Sequence, residues 1–291
     1  MPAHNAALFV ADAIRSITQQ TFEDFEIIVV DDASTDGTGD IVADIGDPRV
    51  KLLRNPANLG LFSSLNVALS VAQGTYLARM DADDLSLPDR FERQNALLDA
   101  NPGVTVCGSD LELFGDVQSI TDFPADDATI KANFMEAAAN MGDAPSMFRH
   151  DFIAAHRIRW DGSFICGGDL AFWVACMRQG AVFANIKAPL YRYRRHSGCS
   201  SHRSEETART VRHIRKGLFP EFFPNLTGEE VDALLDIFDG GNFSFNGLCN
   251  GVSAAIKAQS WAGSRYGENR SHIRERLQYR IDVYRRAILK S

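Results

Sequence analysis

The sequence predicts an α/β protein: a mostly parallel sheet flanked by helices over residues 1–203, then a helical extension over 204–291. Three observations carry that expectation. Short β-branched apolar runs alternate with segments of helical spacing, the rhythm of strand–helix–strand units. The runs are apolar on both faces, as parallel strands covered by helices are. After about Ser204 the strand signal stops and helical spacing alone remains.

Ala7–Thr18 places Phe9, Val10, Ala13, Ile14 and Ile17 at helical spacing. Phe25–Val30 is a strand-like run ending in Asp31-Asp32, and Ser34–Thr38 is turn and cap material before a helix over Gly39–Ile45. Val50–Arg54 reads as a strand, and a helix follows the Asn58-Leu59-Gly60 turn as far as Ala72. Thr75–Met80 reads as a strand that runs into Asp81-Ala82-Asp83-Asp84, Pro88–Ala100 as a helix and Val104–Gly108 as a strand. The middle is less regular. Asp122–Asp127 reads as a loop, 129–141 and Leu170–Gln179 as helices, and Gly180–Arg194 as one or two strands. Thr227 and Glu230 have capping-box spacing, and Asp239–Asn242 is a break. A final helix over Ser271–Lys290 carries Ile273, Leu277, Ile281, Tyr284 and Ile288 on one face. The chain opens on Met1-Pro2-Ala3-His4-Asn5, which reads as the loop after a strand, and no strand precedes it.

With 291 residues, 45% hydrophobic and 23% charged, the chain can bury a substantial core. That excludes a disordered chain, a collagen or a disulfide-stapled miniprotein. The net charge of −8 argues against nucleic acid as the main partner. Five cysteines, none in a CxxC pair, read as reduced thiols of a cytoplasmic protein. From Lys257 onward there are nine Lys or Arg and three Asp or Glu, a basic tail on an acidic body.

The candidate chemistry lies at strand ends, where open α/β sheets bind ligands. Three carboxylates within Asp81–Asp84 repel one another, and their grouping makes sense if a divalent cation neutralises them. A solvated acidic turn is the ordinary alternative. Asp31-Asp32 either accepts hydrogen bonds from a nucleotide base or ribose, or caps the next helix. Asp169, just before an apolar helix, is an N-cap or a general base. Tyr191–His196, with Arg192 and Arg194, is a diphosphate-binding segment or an exposed basic strand end.

These stretches together resemble the family 2 glycosyltransferases of GT-A fold. The resemblance runs in order from Pro2-Ala-His-Asn5 through Ser16–Thr38, Arg54–Gly60, Gly74–Asp84, Pro88–Gln94, Pro145–Arg149 and Gly168-Asp169 to Tyr191–His196, about residues 1–201. It implies that Asp81 and Asp83 form a DxD motif holding Mn²⁺ or Mg²⁺ and the donor's ribose and diphosphate, with Asp83 the direct metal ligand. It implies that Asp32 reads the base beside Pro2 and His4, that Asp169 is the catalytic base, and that Arg192 and His196 close over the donor phosphates. The implied reaction moves a sugar from a nucleotide donor to a hydroxyl of a saccharide or lipid-linked saccharide acceptor, with inversion. Bacterial surface-polysaccharide synthesis at the cytoplasmic side of the membrane is the implied setting.

Two departures stand out. Family members have a strand before the Pro-Ala-His-Asn loop, which makes Met1 an expected internal residue of a longer protein or the chain a truncation. They also commonly have Glu-Asp where this chain has Gly168-Asp169. The alternative function is a noncatalytic nucleotide-sugar-binding or scaffold protein descended from such an enzyme. A nucleotidyltransferase is disfavoured, since no Gly-rich Arg/Lys-containing N-terminal signature is present. Residues 265–290 could lie on an anionic membrane surface, but a helix docked on the body with Arg on its solvated face is the preferred reading.

Overall fold

In a computed structural model the chain is described over residues 1–136, 141–196, 204–240 and 244–288. The first layer comprises β1 (Pro2–Ala3), α1 (Val10–Thr18), β2 (Ile27–Asp31), α2 (Thr38–Ala43), β3 (Val50–Arg54) and α3 (Leu61–Val71). Its strands lie in the order β1-β2-β3, all parallel. β2 is buried along its whole length, which is why its sequence is apolar on both faces. The opening segment departs from the expected loop. Pro2 and Ala3 pair with Val30 and Asp31, and the Met1 ammonium donates to the Ile28 carbonyl (2.8 Å). Burial, helped by the nearby Arg79 charge, pushes that ammonium down to about 5.

The second layer follows with β4 (Tyr76–Ala78), β5 (Leu85–Ser86), α4 (Arg90–Ala100), β6 (Val106–Gly115), β7 (Ser119–Ile120), α5 (Asp127–Asn133), β8 (Met147–Arg149), α6 (His150–Ala155), α7 (Gly168–Arg178) and β9 (Phe183–Arg195). Strand order is β4-β8-β6-β9-β5, with β7 beside β6. This sheet is mixed, which corrects the expectation of a mostly parallel one. β6 and β9 run parallel, whereas β4–β8, β8–β6, β9–β5 and β6–β7 are antiparallel. Two of the reversals come from β8, a three-residue strand inserted between β4 and β6, and the others from β5 and β7, two residues each, all too short to show in the sequence. β9 is one long strand. Its register against β6 shifts around Asp110, which lies opposite Pro189, a residue with no N–H for the ladder.

A cleft of about 750 Å³ lies between β2 and β4, lined by Ile27, Ile28, Leu77, Ala78, Leu65 and Leu69 among others. Of the site residues described below, Arg79 alone lines it.

Four helices complete the chain: α8 (Ser204–Phe222), α9 (Gly228–Asp239), α10 (Phe245–Ser260) and α11 (Arg270–Ile288). The capping box at α9 forms as expected, with the Glu230 N–H donating to Thr227 Oγ1 and the Thr227 N–H to Glu230 Oε2. These helices share one apolar cluster with α3 and α7: Phe62, Trp173, Phe219, Leu234 and Leu277 all belong to it. Ile273, Leu277 and Ile281 of α11 are almost wholly buried, so the stripe of the last helix faces the body. Outside the stripe, Tyr279 is exposed.

The two halves of the second layer are tied by one buried cation. Arg90, fully buried on α4, donates to the carbonyls of Arg79 (2.7 Å), Ala144 (3.3 Å) and Ser146 (3.4 Å) and to Gln94 Oε1 (3.0 Å). Its guanidinium also lies 5.1 Å from the Tyr191 ring centroid. Burial pulls its pKa down to about 10, still far above neutrality, so it stays charged. Arg90→Met keeps the volume and orphans these acceptors. The expected loss is about 3 kcal/mol or more, seen as a Tm lower by roughly 6 °C or more in thermal unfolding. A Tm unchanged from the wild type would show that the carbonyls find other donors.

Candidate active site

The acidic loop is built where β4 ends. The Asp81 N–H donates to the Tyr191 hydroxyl (3.0 Å), the Arg194 N–H donates to Asp84 Oδ1 (2.6 Å), and Arg194 Nε donates to the Asp83 carbonyl (2.7 Å). The end of β9 thus holds the loop from beneath. Asp84 is fully buried, while Asp81 and Asp83 keep part of their carboxylates open to solvent. His196 Nε2 lies 3.1 Å from Asp83 Oδ2, and the two rings of His196 and Phe9 meet at 5.2 Å. The Arg194 guanidinium sits between the Phe9 and Phe114 rings, 4.7 and 4.4 Å from their centroids.

Arg79, almost wholly buried, is the counter-charge. Its Nη1 donates to Asp81 Oδ2 (3.0 Å), and its Nε lies 2.7 Å from Asp143 Oδ2 in an ion pair too bent to be a hydrogen bond. Asp169, the second residue of α7, lies within electrostatic reach of Arg79, Asp81 and Asp143. One guanidinium therefore pairs with Asp81 and Asp143, and its charge is felt by Asp169 from a distant part of the chain. Burial raises the Asp169 carboxyl, and the Arg79 charge opposes that rise. Burial also raises Asp83, with Asp81 adding to the rise, and pushes Asp84 up to about 8 with both neighbours adding to it.

Such repulsion marks a site with more negative charge than its own cations balance. Among the described residues no three His, Cys, Asp or Glu side chains form a ready-made metal cage. The two half-open carboxylates, Asp81 and Asp83, nevertheless fit what Mg²⁺ or Mn²⁺ takes from a protein when substrate phosphates supply other ligands.

Gly168 explains the departure beside Asp169. A Cβ there would lie 2.8 Å from the Phe62 ring and 3.1 Å from Phe164 Cβ, so aromatic packing fills the space an acidic neighbour would need.

Asp32, just past β2 of the three-stranded sheet, is buried. Its Oδ1 accepts from Asn55 Nδ2 (2.7 Å) and the Leu59 N–H (2.8 Å), and its Oδ2 accepts from the Gly60 N–H (2.8 Å). These bonds fix the turn before α3. A carboxylate has about four acceptor sites, so one remains for a ligand. His4 stands over this turn, its Nδ1 2.8 Å from the Asp32 carbonyl and its Nε2 3.1 Å from Asn58 Nδ2. His4 is exposed, whereas Pro2 is buried in β1. Asp31 takes the ordinary role, its Oδ1 accepting from the Ser34 N–H (3.0 Å).

The structure therefore gathers Asp81, Asp83, Asp169 and His196 at one place and His4 with Asp32 at another. Arg192 is held elsewhere, in an ion pair with Glu112 (3.0 Å); Arg194, two residues on, is the arginine that touches the acidic loop. Arg79 and Asp143 are additions to the site. Strand alternation puts Arg79 on the face of Asp81, a signal the sequence does offer. Asp143 has no such signal, because only the packing of its turn brings it there.

The profile of Glycosyl transferase family 2 matches residues 1–155. An uncharacterized glycosyltransferase of Haemophilus influenzae is 31% identical over 226 residues, covering 72% of this chain and 70% of the relative. The Escherichia coli UDP-Glc:alpha-D-GlcNAc-diphosphoundecaprenol beta-1,3-glucosyltransferase WfgD is 35% identical over 98 residues, 34% of this chain and 39% of its own length. Residues 1–349 of Staphylococcus aureus TarS, solved in complex with UDP-GlcNAc, superpose with a TM-score of 0.67 at 17% identity, covering 98% of this chain and 90% of that one, a likeness of fold.

The charge excess has a consequence for stability. A carboxyl whose folded pKa is raised to about 8 holds its proton through the range where the unfolded chain, at about 3.9, has lost it. Its contribution is complete below about pH 4 and is lost as pH rises towards 8. The metal-free protein should therefore have a lower Tm at pH 8 than at pH 5, with the difference reduced in Asp84→Asn. An equal pH dependence in that variant would remove Asp84 as its source.

Proposed function

Because the chain belongs to glycosyl transferase family 2, we propose that it transfers a sugar from a nucleoside-diphosphate donor to an acceptor hydroxyl with inversion at the anomeric carbon. The observation that carries this is the meeting of Asp81 and Asp169 around Arg79. It supports a donor-side carboxylate and a candidate base acting within one site.

In this reading Asp32 and His4 hold the nucleotide base, with Pro2 beneath them. Asp81 and Asp83 hold a divalent cation, Mn²⁺ or Mg²⁺, which when bound neutralises the charge of the departing diphosphate. His196 and Arg194 approach the same diphosphate, and Arg192 serves by bracing β9 through Glu112. Asp169 takes the proton of the acceptor hydroxyl as its oxygen bonds to the anomeric carbon. The bond to the diphosphate oxygen breaks with its electron pair leaving on that oxygen. Attack opposite the leaving group turns an α-linked donor into a β-linked product. Burial of Asp169 supports this role, since a raised pKa makes a stronger base near neutrality.

A saccharide or lipid-linked saccharide acceptor is supported by the likeness to WfgD, and a place in bacterial surface-polysaccharide synthesis by a likeness to the succinoglycan biosynthesis protein ExoO of Rhizobium meliloti. No described helix is long and apolar enough to cross a membrane. Contact of residues 265–290 with an anionic membrane rests on the outward arginines alone, since the apolar stripe of α11 is buried.

Thermal unfolding against UDP, GDP, dTDP and CDP, each with and without Mn²⁺, tests the reading. A ligand at about 100 times its Kd adds about 2.7 kcal/mol. One nucleotide should raise Tm only with Mn²⁺, and Asp83→Ala should abolish that shift. A full Mn²⁺-dependent shift in Asp83→Ala would sink the metal assignment. Asp169→Asn should bind donor as the wild type does and transfer sugar at least 100-fold more slowly in a radiolabelled-donor assay. Near-normal transfer by that variant would remove Asp169 from the role of base.

A further inference from the structure

Asp143 has no task in the reaction just described, yet it is built into the site. Its turn is fixed by Ser146, whose N–H (3.1 Å) and hydroxyl (2.6 Å) both donate to the Asp143 carbonyl. The side chain is 12% exposed, and Oδ2 faces Arg79 Nε at 2.7 Å. The other oxygen, Oδ1, is shut off from solvent and has no hydrogen-bond partner among the described residues. A buried carboxylate oxygen left unpaired is costly, and native structures rarely keep one without a ligand or water to satisfy it.

Its surroundings narrow what that ligand is. Asp143 shares Arg79 with Asp81, the residue that the donor reading assigns to the diphosphate, and it feels the charge of Asp169, the residue that the same reading assigns to the acceptor's proton. The group that must lie between a leaving diphosphate and an attacking hydroxyl is the sugar in transfer. A sugar presents O–H donors, and an orphaned carboxylate oxygen is an acceptor.

We propose that Asp143 Oδ1 accepts a hydrogen bond from a hydroxyl of the donor sugar, making Asp143 a specificity-determining residue and Arg79 the positioning residue that holds it. The proposal rests on the donor reading above. It separates sugar recognition from nucleotide recognition: Asp32 and the acidic loop grip the nucleotide, and Asp143 reads the sugar.

Isothermal titration of the full chain with Mn²⁺ tests it. The probes are UDP and GDP, and the sugar nucleotide the wild type binds most tightly among UDP-glucose, UDP-galactose, UDP-N-acetylglucosamine and GDP-mannose. Asp143→Ala should bind the free nucleoside diphosphate within about twofold of the wild type, and the sugar nucleotide about tenfold or more weakly. Asp143→Asn keeps the turn and the volume, and should show a smaller loss of the same kind, so the test survives if the alanine variant does not fold. Equal weakening of both ligands would mean a structural role only, and unchanged affinity for both would mean that Oδ1 touches no sugar; either overturns the proposal and leaves the donor reading standing. Absence of any nucleotide binding by the wild type would instead bring down the donor reading itself.

Discussion

A surplus of negative charge at one sheet edge is the constraint around which this molecule is arranged. Asp81, Asp83, Asp84, Asp143 and Asp169 come together there, and Arg79 is the buried cation placed among them. A fold does not assemble such a group for stability, since each carboxylate raises the cost of ionising the next. Four of the five are pushed upward by burial before any neighbour acts. Positive charge would relieve the arrangement, and in the proposed function the divalent cation supplies it.

The scaffold is correspondingly rigid beneath the acidic groups. Arg90 binds the carbonyl of Arg79 and those of the turn that carries Asp143, so the cation and one of its anions are fixed from the same helix. Tyr191 of β9 receives the Asp81 N–H, and Arg194 of the same strand holds the loop through Asp83 and Asp84. Behind Asp169, α7 is packed on both sides: Phe172 and Trp173 join the cluster that extends into α8, α9 and α11. The C-terminal helices thus act on the site through α7, by holding the helix start that carries the candidate base.

Gly168 and Asp32 show how packing adjusts a family pattern. The first lacks an acidic side chain because Phe62 and Phe164 occupy its space. The second keeps its carboxylate but commits three hydrogen bonds to its own chain, which leaves one acceptor position of about four for any ligand. Arg192 and Arg194 differ in a similar way: both flank Phe114, yet only the second reaches the acidic loop.

Local pattern was enough for β2 and β3, most of the helices, the capping box of α9 and the acidic residues at strand ends, because spacing, caps and turn residues act over a few positions; β1 was read as a loop, since two residues show no pattern and only their pairing with β2 makes them a strand. The mixed second sheet was not legible, since β8 is three residues long and its place between β4 and β6 is set by pairing across the chain. The same holds for the site. The sequence by itself determined which carboxylates cluster and that a strand end presents them. Only the tertiary structure decided that Asp143 joins them, that Arg194 rather than Arg192 meets the loop, and that Arg79 serves Asp81 and Asp143 together. Those are choices of burial and hydrogen bonding between distant segments, and no periodicity in a single segment records them.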